Sequence, residues 1–267
     1  MPGAFNAGTA RLVQRTGFDA VYISGAGIAN ATAGVPDIGL LTVTEVAQLA
    51  AYIADAVTIP ALLDADTGFG SVQNVTRTVQ LLERAGVAGI HLEDQTFPKR
   101  CGHVVGKKLV DAAEMADKLR AAVAARRDGD FLIVARTDAR ADEGIDGAIE
   151  RAIAYVKAGA DAIFPEALQS PAEFRQFAKA VNVPLLANMT EFGRSPLLSV
   201  RQLAAMGYRM VIFPQSAFRA SMRTSLELLN DLKRRGTQQQ WLDRMQTRQE
   251  LYDLLDYDPA AEDWPRR

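Results

Sequence analysis

Thirteen residues, "HLEDQTFPKRCGH" from His91 to His103, hold the single cysteine of the chain and both of its histidines. Glu93 and Asp94 lie just upstream of Cys101, and Lys99 and Arg100 precede it directly. A zinc centre needs about four ligands; Cys101 and His103 supply two, and His91 falls inside an apolar run that reads as a strand. A working thiol, whether nucleophile or proton donor, needs charged neighbours that tune it, and Lys99, Arg100 and His103 are such neighbours. The same cations suit an anionic substrate. A lone cysteine is usually a buried, inert thiol, but this one keeps polar company in a long segment, Thr96 to Leu109, of the length used for lids.

A second chemical unit is "DADTGFG", 64–70. Asp64 and Asp66 have the same parity on a strand, so both are expected to point inward. Two such carboxylates repel unless a cation lies between them. Hard oxygen donors without nearby sulfur suit Mg²⁺ or Mn²⁺. The plainer alternative has one aspartate capping the next helix and the other binding a backbone amide.

These residues sit at the ends of a repeated unit. "RTGFDAVYIS", "RAGVAGIHLE", "KAGADAIFPE" and "AMGYRMVIFP" each begin at a helix end closed by Gly17, Gly86, Gly159 or Gly207. Each continues into a short, evenly apolar run, the mark of a strand buried on both faces. "IPALLDAD", "FLIVARTD" and "VPLLANMT" add three strands, and "MPGA" reads as the stub of another. Amphipathic stretches lie between them, with Val75, Val79 and Leu82 on one face and Met115, Leu119 and Val123 on another. Eight βα units predict an α/β fold, a (β/α)8 TIM-type barrel. No Gly-, Ser- or Pro-rich linker divides the chain, so residues 1–267 read as one domain, with 236–267 as a C-terminal helical tail. The apolar runs stop at polar groups: Ser24-Gly25, Asp64 and Asp66, Glu93-Asp94, Arg136-Thr137-Asp138, Glu166, and Asn188 with Thr190. In a barrel those ends converge on one face, where such folds carry their chemistry.

The 267 residues carry a net charge of −2, so no basic field calls for nucleic acid. A single cysteine excludes an intramolecular disulfide. The apolar stretches are too short for a bilayer, and the first residues lack a secretory signal. A cytoplasmic protein with a small-molecule substrate is expected.

"KRCGH", 99–103, resembles the signature of the isocitrate lyase and phosphoenolpyruvate mutase superfamily in its lyase branch. "YISGAG", "DADTGFG", "HLEDQ", "ARTDA", "FPEA", "NMTEFG", "SAFRA" and "MQTRQELY" are similar, in the same order, to the small methylisocitrate lyases of that superfamily. The resemblance implies a Mg²⁺-dependent barrel that cleaves a methylated isocitrate to pyruvate and succinate, the last step of the methylcitrate cycle of propionate catabolism. It implies a homotetramer whose eighth barrel helix is exchanged between subunits. It assigns metal binding to Asp64 and Asp66. Substrate contacts fall to Ser24, Gly25, Ala26, Asp37, Gly102, Arg136, Glu166, Asn188, Thr190, Arg219 and Arg248. Catalytic roles fall to Cys101, Tyr22, Glu93, Lys99 and His103. In that reading Cys101 protonates the succinate carbanion, Tyr22 is the first choice of base with a metal-linked carboxylate next, and the arginines fork onto substrate carboxylates. Two departures stand out. Ala26 occupies a position where relatives usually have glycine, and the chain opens near the end of the expected first strand, so that the N-terminus reads as truncated. The alternatives are a relative acting on isocitrate, dimethylmalate or oxaloacetate, and a catalytically silent barrel that binds a carboxylate.

Overall fold

The computed structural model describes residues 1–104 and 106–261 of the chain; the loop position 105 and the last six residues of the expected tail lie outside the described residues. Eight strands follow one another as β1 (Gly3–Ala4), β2 (Val21–Ile23), β3 (Ala61–Asp64), β4 (Gly89–Glu93), β5 (Leu132–Thr137), β6 (Ala162–Pro165), β7 (Leu186–Asn188) and β8 (Met210–Ile212). The first six form one parallel sheet in sequence order, and β7 pairs with β8. Single parallel bridges complete the ring, Ile163 to Leu185 between β6 and β7, and Pro2 to Phe213 between β8 and β1. The result is the closed parallel barrel that the repeated unit predicts. The stub "MPGA" is a strand of two residues, held by Gly3 N–H to Phe213 O at 2.9 Å and by Tyr22 N–H to Pro2 O at 3.0 Å.

The helix ends behave as the glycines require. Gly17, Gly86, Gly159 and Gly207 all have φ between 83° and 104°, the left-handed conformation that stops a helix and turns the chain back toward the next strand. Starts are fixed by side-chain caps. Thr42 and Ser199 form reciprocal capping boxes with Glu45 and Gln202, and Ser170 caps a helix with Pro171 in its first turn.

Inside the ring, Tyr22, Leu62, Val134, Ala162, Phe164, Leu186 and Ile212 pack against one another. The larger core lies outside it, between strands and helices, and includes Ile23, Leu63, Ile90, Ile133, Leu82, Met115 and Phe177. Burying one such side chain contributes about 1.5–3 kcal/mol. The two cores follow from the alternation of a strand. The inner layer also explains the site. Two residues beyond Tyr22, Leu62, Val134, Phe164, Leu186 and Ile212, the same faces carry Ser24, Asp64, Arg136, Glu166, Asn188 and Pro214, and all six line one cavity.

Past the barrel, helix Ser216–Arg235 runs for 20 residues and has no buried residue. The tail folds back on it. Trp241 is buried, donates to Asp231 Oδ2 at 3.0 Å, and stacks under the Arg244 guanidinium. Helix Arg248–Leu254 lies against helix Ala7–Arg15, where Arg11 bonds Leu254 O and Asp256. No helix among the described residues is long and apolar enough to cross a membrane.

Candidate active site

A cavity of about 300 Å³ opens at the C-terminal ends of the strands. Its lining includes Tyr22, Ser24, Ala26, Asp37, Asp64, Cys101, Gly102, His103, Arg136, Glu166, Asn188, Thr190 and Arg219. Thirteen of the eighteen residues singled out from the sequence therefore meet in one place. Gly25 and Asp66 line a smaller adjoining cleft with Asp37 and Asp64.

Asp64 ends β3 on the inward face. Burial works against its ionisation, but the positive charges of His91 when protonated, Lys99 and Arg136 outweigh it and hold the carboxyl below its ordinary range. Burial also pushes His91 down to about 4, so at neutral pH Lys99 and Arg136 carry that effect. Asp66 departs from the expectation. The strand stops at Asp64 and Asp66 has φ 47°, in a turn, so strand parity no longer governs it. Its carboxylate pairs with Lys99 at 2.7 Å, and burial pushes it up to about 6 against the pull of that lysine. Lys99 is itself buried and also bonds Asp37. It acts as a tether, and it lines an outer cleft with Asp37 and Cys101 rather than the main cavity.

The parallel register sets Glu93 beside Arg136 and Asp64 beside His91. Arg136 is buried and already paired. Its Nε and Nη2 fork onto Asp138 at 2.9 and 3.2 Å, Glu93 Oε2 stands 3.3 Å from Nη2, and Glu166 Oε1 stands 3.8 Å from it. One edge of the guanidinium, Nε and Nη2, is therefore taken by Asp138, while Arg136 still lines the cavity. Arg136 and Lys107 hold Asp138 well below the carboxylate range although burial opposes it. Glu93 lies behind this layer, 1% exposed, and does not line the cavity. Burial raises it well above its usual value against Arg136 and Lys99, and neither of its oxygens has a hydrogen-bond partner.

Tyr22 lines the cavity, with its hydroxyl 2.8 Å from His91 Nε2. Burial, and then Asp64, raise the phenol well above its ordinary value. It is a phenol at neutral pH, and to act as the base it would have to ionise against both burial and the Asp64 charge. His91 Nδ1 is buried without a partner. An unpaired acceptor is easier to bury than an unpaired N–H, which favours the tautomer protonated at Nε2. His91 then donates to the Tyr22 oxygen and leaves the phenolic proton for the cavity.

The loop carrying Cys101 is docked. Its stem is pinched by a Gln95–Leu109 bridge and by Thr96 N–H to Lys108 O at 2.7 Å. Gln95 bonds the backbone of Arg100 in both directions, at 2.8 and 2.9 Å. His103 Nε2 lies 3.1 Å from Glu166, and its Nδ1 accepts from Arg194 N–H. Gly102 passes so close to Glu166 and Arg136 that a Cβ there would fall 2.4–2.5 Å from them. Cys101 keeps solvent access at the cavity, yet the surrounding protein raises its thiol pKa by burial, against the pull of the His103 backbone amide.

The family model described as phosphoenolpyruvate phosphomutase matches residues 1–233. The chain belongs to the phosphoenolpyruvate phosphomutase family. Among its relatives, the "2-methylisocitrate lyase" of Aeropyrum pernix is 53% identical over 256 residues, which covers 96% of this chain and 82% of that one. Among solved structures, a 2,3-dimethylmalate lyase superposes with a TM-score of 0.90 at 37% identity, over 95% of this chain and 85% of that one. A phosphonopyruvate hydrolase solved with oxalate and Mg²⁺ gives 0.85 at 33%, over 95% and 88%.

Within this phosphomutase-family site, Arg248 is the residue the structure does not bring in. It is exposed at the start of its helix and absent from the lining, because that helix packs on the outer helix Ala7–Arg15. Arg219 reaches the cavity from the first turn of helix Ser216–Arg235, over the Phe192 ring and 3.7 Å from Glu191. Sequence reasoning missed Asn30, Phe164, Ile212 and Gln215 in the lining and Lys107 behind it, and it named Asp138 at a strand end without giving it a role. The alternation of β5 and β6 could have flagged Asp138 and Phe164.

Proposed function

We propose that this chain cleaves 2-methylisocitrate to pyruvate and succinate, with Mg²⁺ as cofactor, as in the methylcitrate route of propionate breakdown. The observation that carries the reading is the seat of Cys101. A thiol kept in its protonated form lines the same cavity as an ionised Asp64, on a loop docked against the barrel wall.

The residues present fit Mg²⁺. Asp64 is an ionised oxygen donor open to the cavity, and the two Glu93 oxygens are buried without a hydrogen bond, one of them beside Arg136. Among the described residues no three His, Cys, Asp or Glu side chains converge as a closed metal cluster. Mg²⁺ typically takes one or two carboxylates and keeps several waters, so Asp64, with Asp66 and Glu93 for those waters, suits it better than a zinc set. When bound, the ion supplies Lewis-acid polarisation of substrate oxygens.

The chain's own residues do the rest. Cleavage takes the proton from the substrate hydroxyl, breaks the adjacent C–C bond, and leaves a carbonyl on pyruvate and a carbanion on succinate. Tyr22 donates a hydrogen bond into the cavity, and the ionised Asp64 carboxylate accepts the hydroxyl proton. Asn188, Thr190 and Arg219 bind carboxylate. Cys101 gives its proton to the succinate carbanion from its place on the docked loop. With Mg²⁺ and racemic 2-methylisocitrate, the products are expected to be pyruvate and succinate. Propionate in place of succinate, glyoxylate from isocitrate as the faster reaction, or tight binding without turnover would each overturn the assignment.

A homotetramer with exchange of helix Ser216–Arg235 belongs to the same proposal. Met222, Leu226 and Leu229 on that helix are each more than half exposed, a stripe that calls for a cover. Light scattering is expected to give four times the chain mass; a monomer mass would refute it.

A further inference from the structure

The Cys101 loop is held by two lysines, and only Lys99 is explained by the site. Lys107 follows Cys101 by six positions, and its side chain is 2% exposed. Its Nζ donates to the carbonyl of Gly102 at 2.5 Å and to Asp138 Oδ1 at 2.9 Å. Asp138 is the carboxylate that forks onto Arg136. The backbone N–H of Asp138 is fixed in turn by Asp94 Oδ1 at 2.8 Å, and Asp94 Oδ2 accepts from the hydroxyls of Thr137 and Tyr155. A continuous run of polar contacts therefore leads from the peptide one residue past the thiol, through one ammonium, into the barrel wall.

Burying an ammonium is costly unless it is paired and hydrogen-bonded. Pairing with Asp138 alone would answer a purely structural need. The bond to Gly102 does something else, because it makes the docked position of the loop depend on the arrangement of Asp138 and Arg136. We propose that Lys107 is a positioning residue, whose ammonium locks the Gly102–His103 peptide, one residue past the thiol, to the Asp138–Arg136 pair and so fixes Cys101 over the cavity. This inference deepens the lyase reading and rests on it.

Lys107→Met keeps most of the side chain and removes both bonds. Its kcat is expected to fall about 10–100-fold, the scale of a misplaced reacting group, while KM changes less than about threefold on the same argument. Iodoacetamide should alkylate Cys101 several-fold faster at fixed pH, since release of the loop relieves the burial that holds the thiol protonated. Cys101 is the single thiol, so the readout has one source. Lys107→Arg, which restores donors and charge, should recover most of both effects. Gly89→Ala serves as control. A Cβ at Gly89 would lie 2.5 Å from Leu132 Cβ, at the far end of β4 from the loop. It should lower the melting temperature and leave thiol reactivity and kcat as they were. Wild-type alkylation in Lys107→Met, or a kcat loss that Gly89→Ala reproduces, would overturn the proposal. Should Lys107→Met not fold, Lys107→Gln is judged by the same two measurements. Alkylation needs no substrate, so the latch can fail or hold whatever becomes of the lyase reading.

Discussion

Cys101→Ser is expected to bind substrate about as well as the wild type and to turn over about 10²–10⁴-fold more slowly, the usual worth of a positioned general acid. The hydroxyl of serine is nearly isosteric, so the cavity and the loop contacts of Gly102 and His103 survive. Acidity does not survive, since an alcohol holds its proton far more tightly than a thiol. The environment of Cys101 adds a pH signature. Burial raises the thiol pKa, so the protonated, active form persists at and above the ordinary thiol value of about 8.5 and is lost only as the pH rises through the elevated one. The kcat profile of the wild type should therefore have an alkaline limb above about 8.5 that the serine variant lacks. Substrate affinity by calorimetry and single-turnover rates separate the two halves of this prediction. A serine variant within a few-fold of wild type would remove Cys101 as the acid.

Asp64→Asn is expected to cost about 10³-fold or more in kcat/KM and to abolish the response to added Mg²⁺, because Lewis-acid stabilisation is worth several kcal/mol. Asp66→Asn should behave differently. Asp66 binds Lys99, and Asp37 still holds that lysine after the change. Its loss is expected to be smaller and to leave Mg²⁺ affinity within about tenfold, the lower end of what outer-sphere partners contribute. Mg²⁺ titration calorimetry on both variants tests the split, and EDTA should silence the wild type. Full turnover after chelation, or equal loss of Mg²⁺ binding in the two variants, would contradict the assignment.

The barrel was legible because its signals are local. A strand buried on both faces must be apolar throughout, and a helix stopped by a left-handed glycine announces itself at Gly17, Gly86, Gly159 and Gly207. Even the two-residue β1 could be read, since its partner Tyr22 lies in a strand that was clear and Phe213 directly follows another. Most of the site was legible for the same reason, as one polar layer two residues above an apolar one. What stayed hidden depends on which charges consume each other. Nothing near Asp66 says that the strand has already ended, or that Lys99, thirty-three positions away, will take its carboxylate. "ARTDA" places Arg136 and Asp138 at the same parity, a hint that the arginine is braced from within, yet the spacing alone does not separate bracing from ligand binding. Lys107 left no trace at all, because its two partners come together only when the loop is folded over. Arg248 was placed by likeness alone, and its helix turns out to rest on the outside of the barrel.

The pinched stem at Gln95–Leu109 has an evolutionary reading. Both ends of the segment between are tied to each other where the chain leaves the barrel, so its middle can change without a strand having to move. Such a segment works as an interchangeable cartridge: a scaffold can acquire a new reaction by replacing a dozen or so residues, about the size of a long surface loop, while the inherited barrel goes on folding as before.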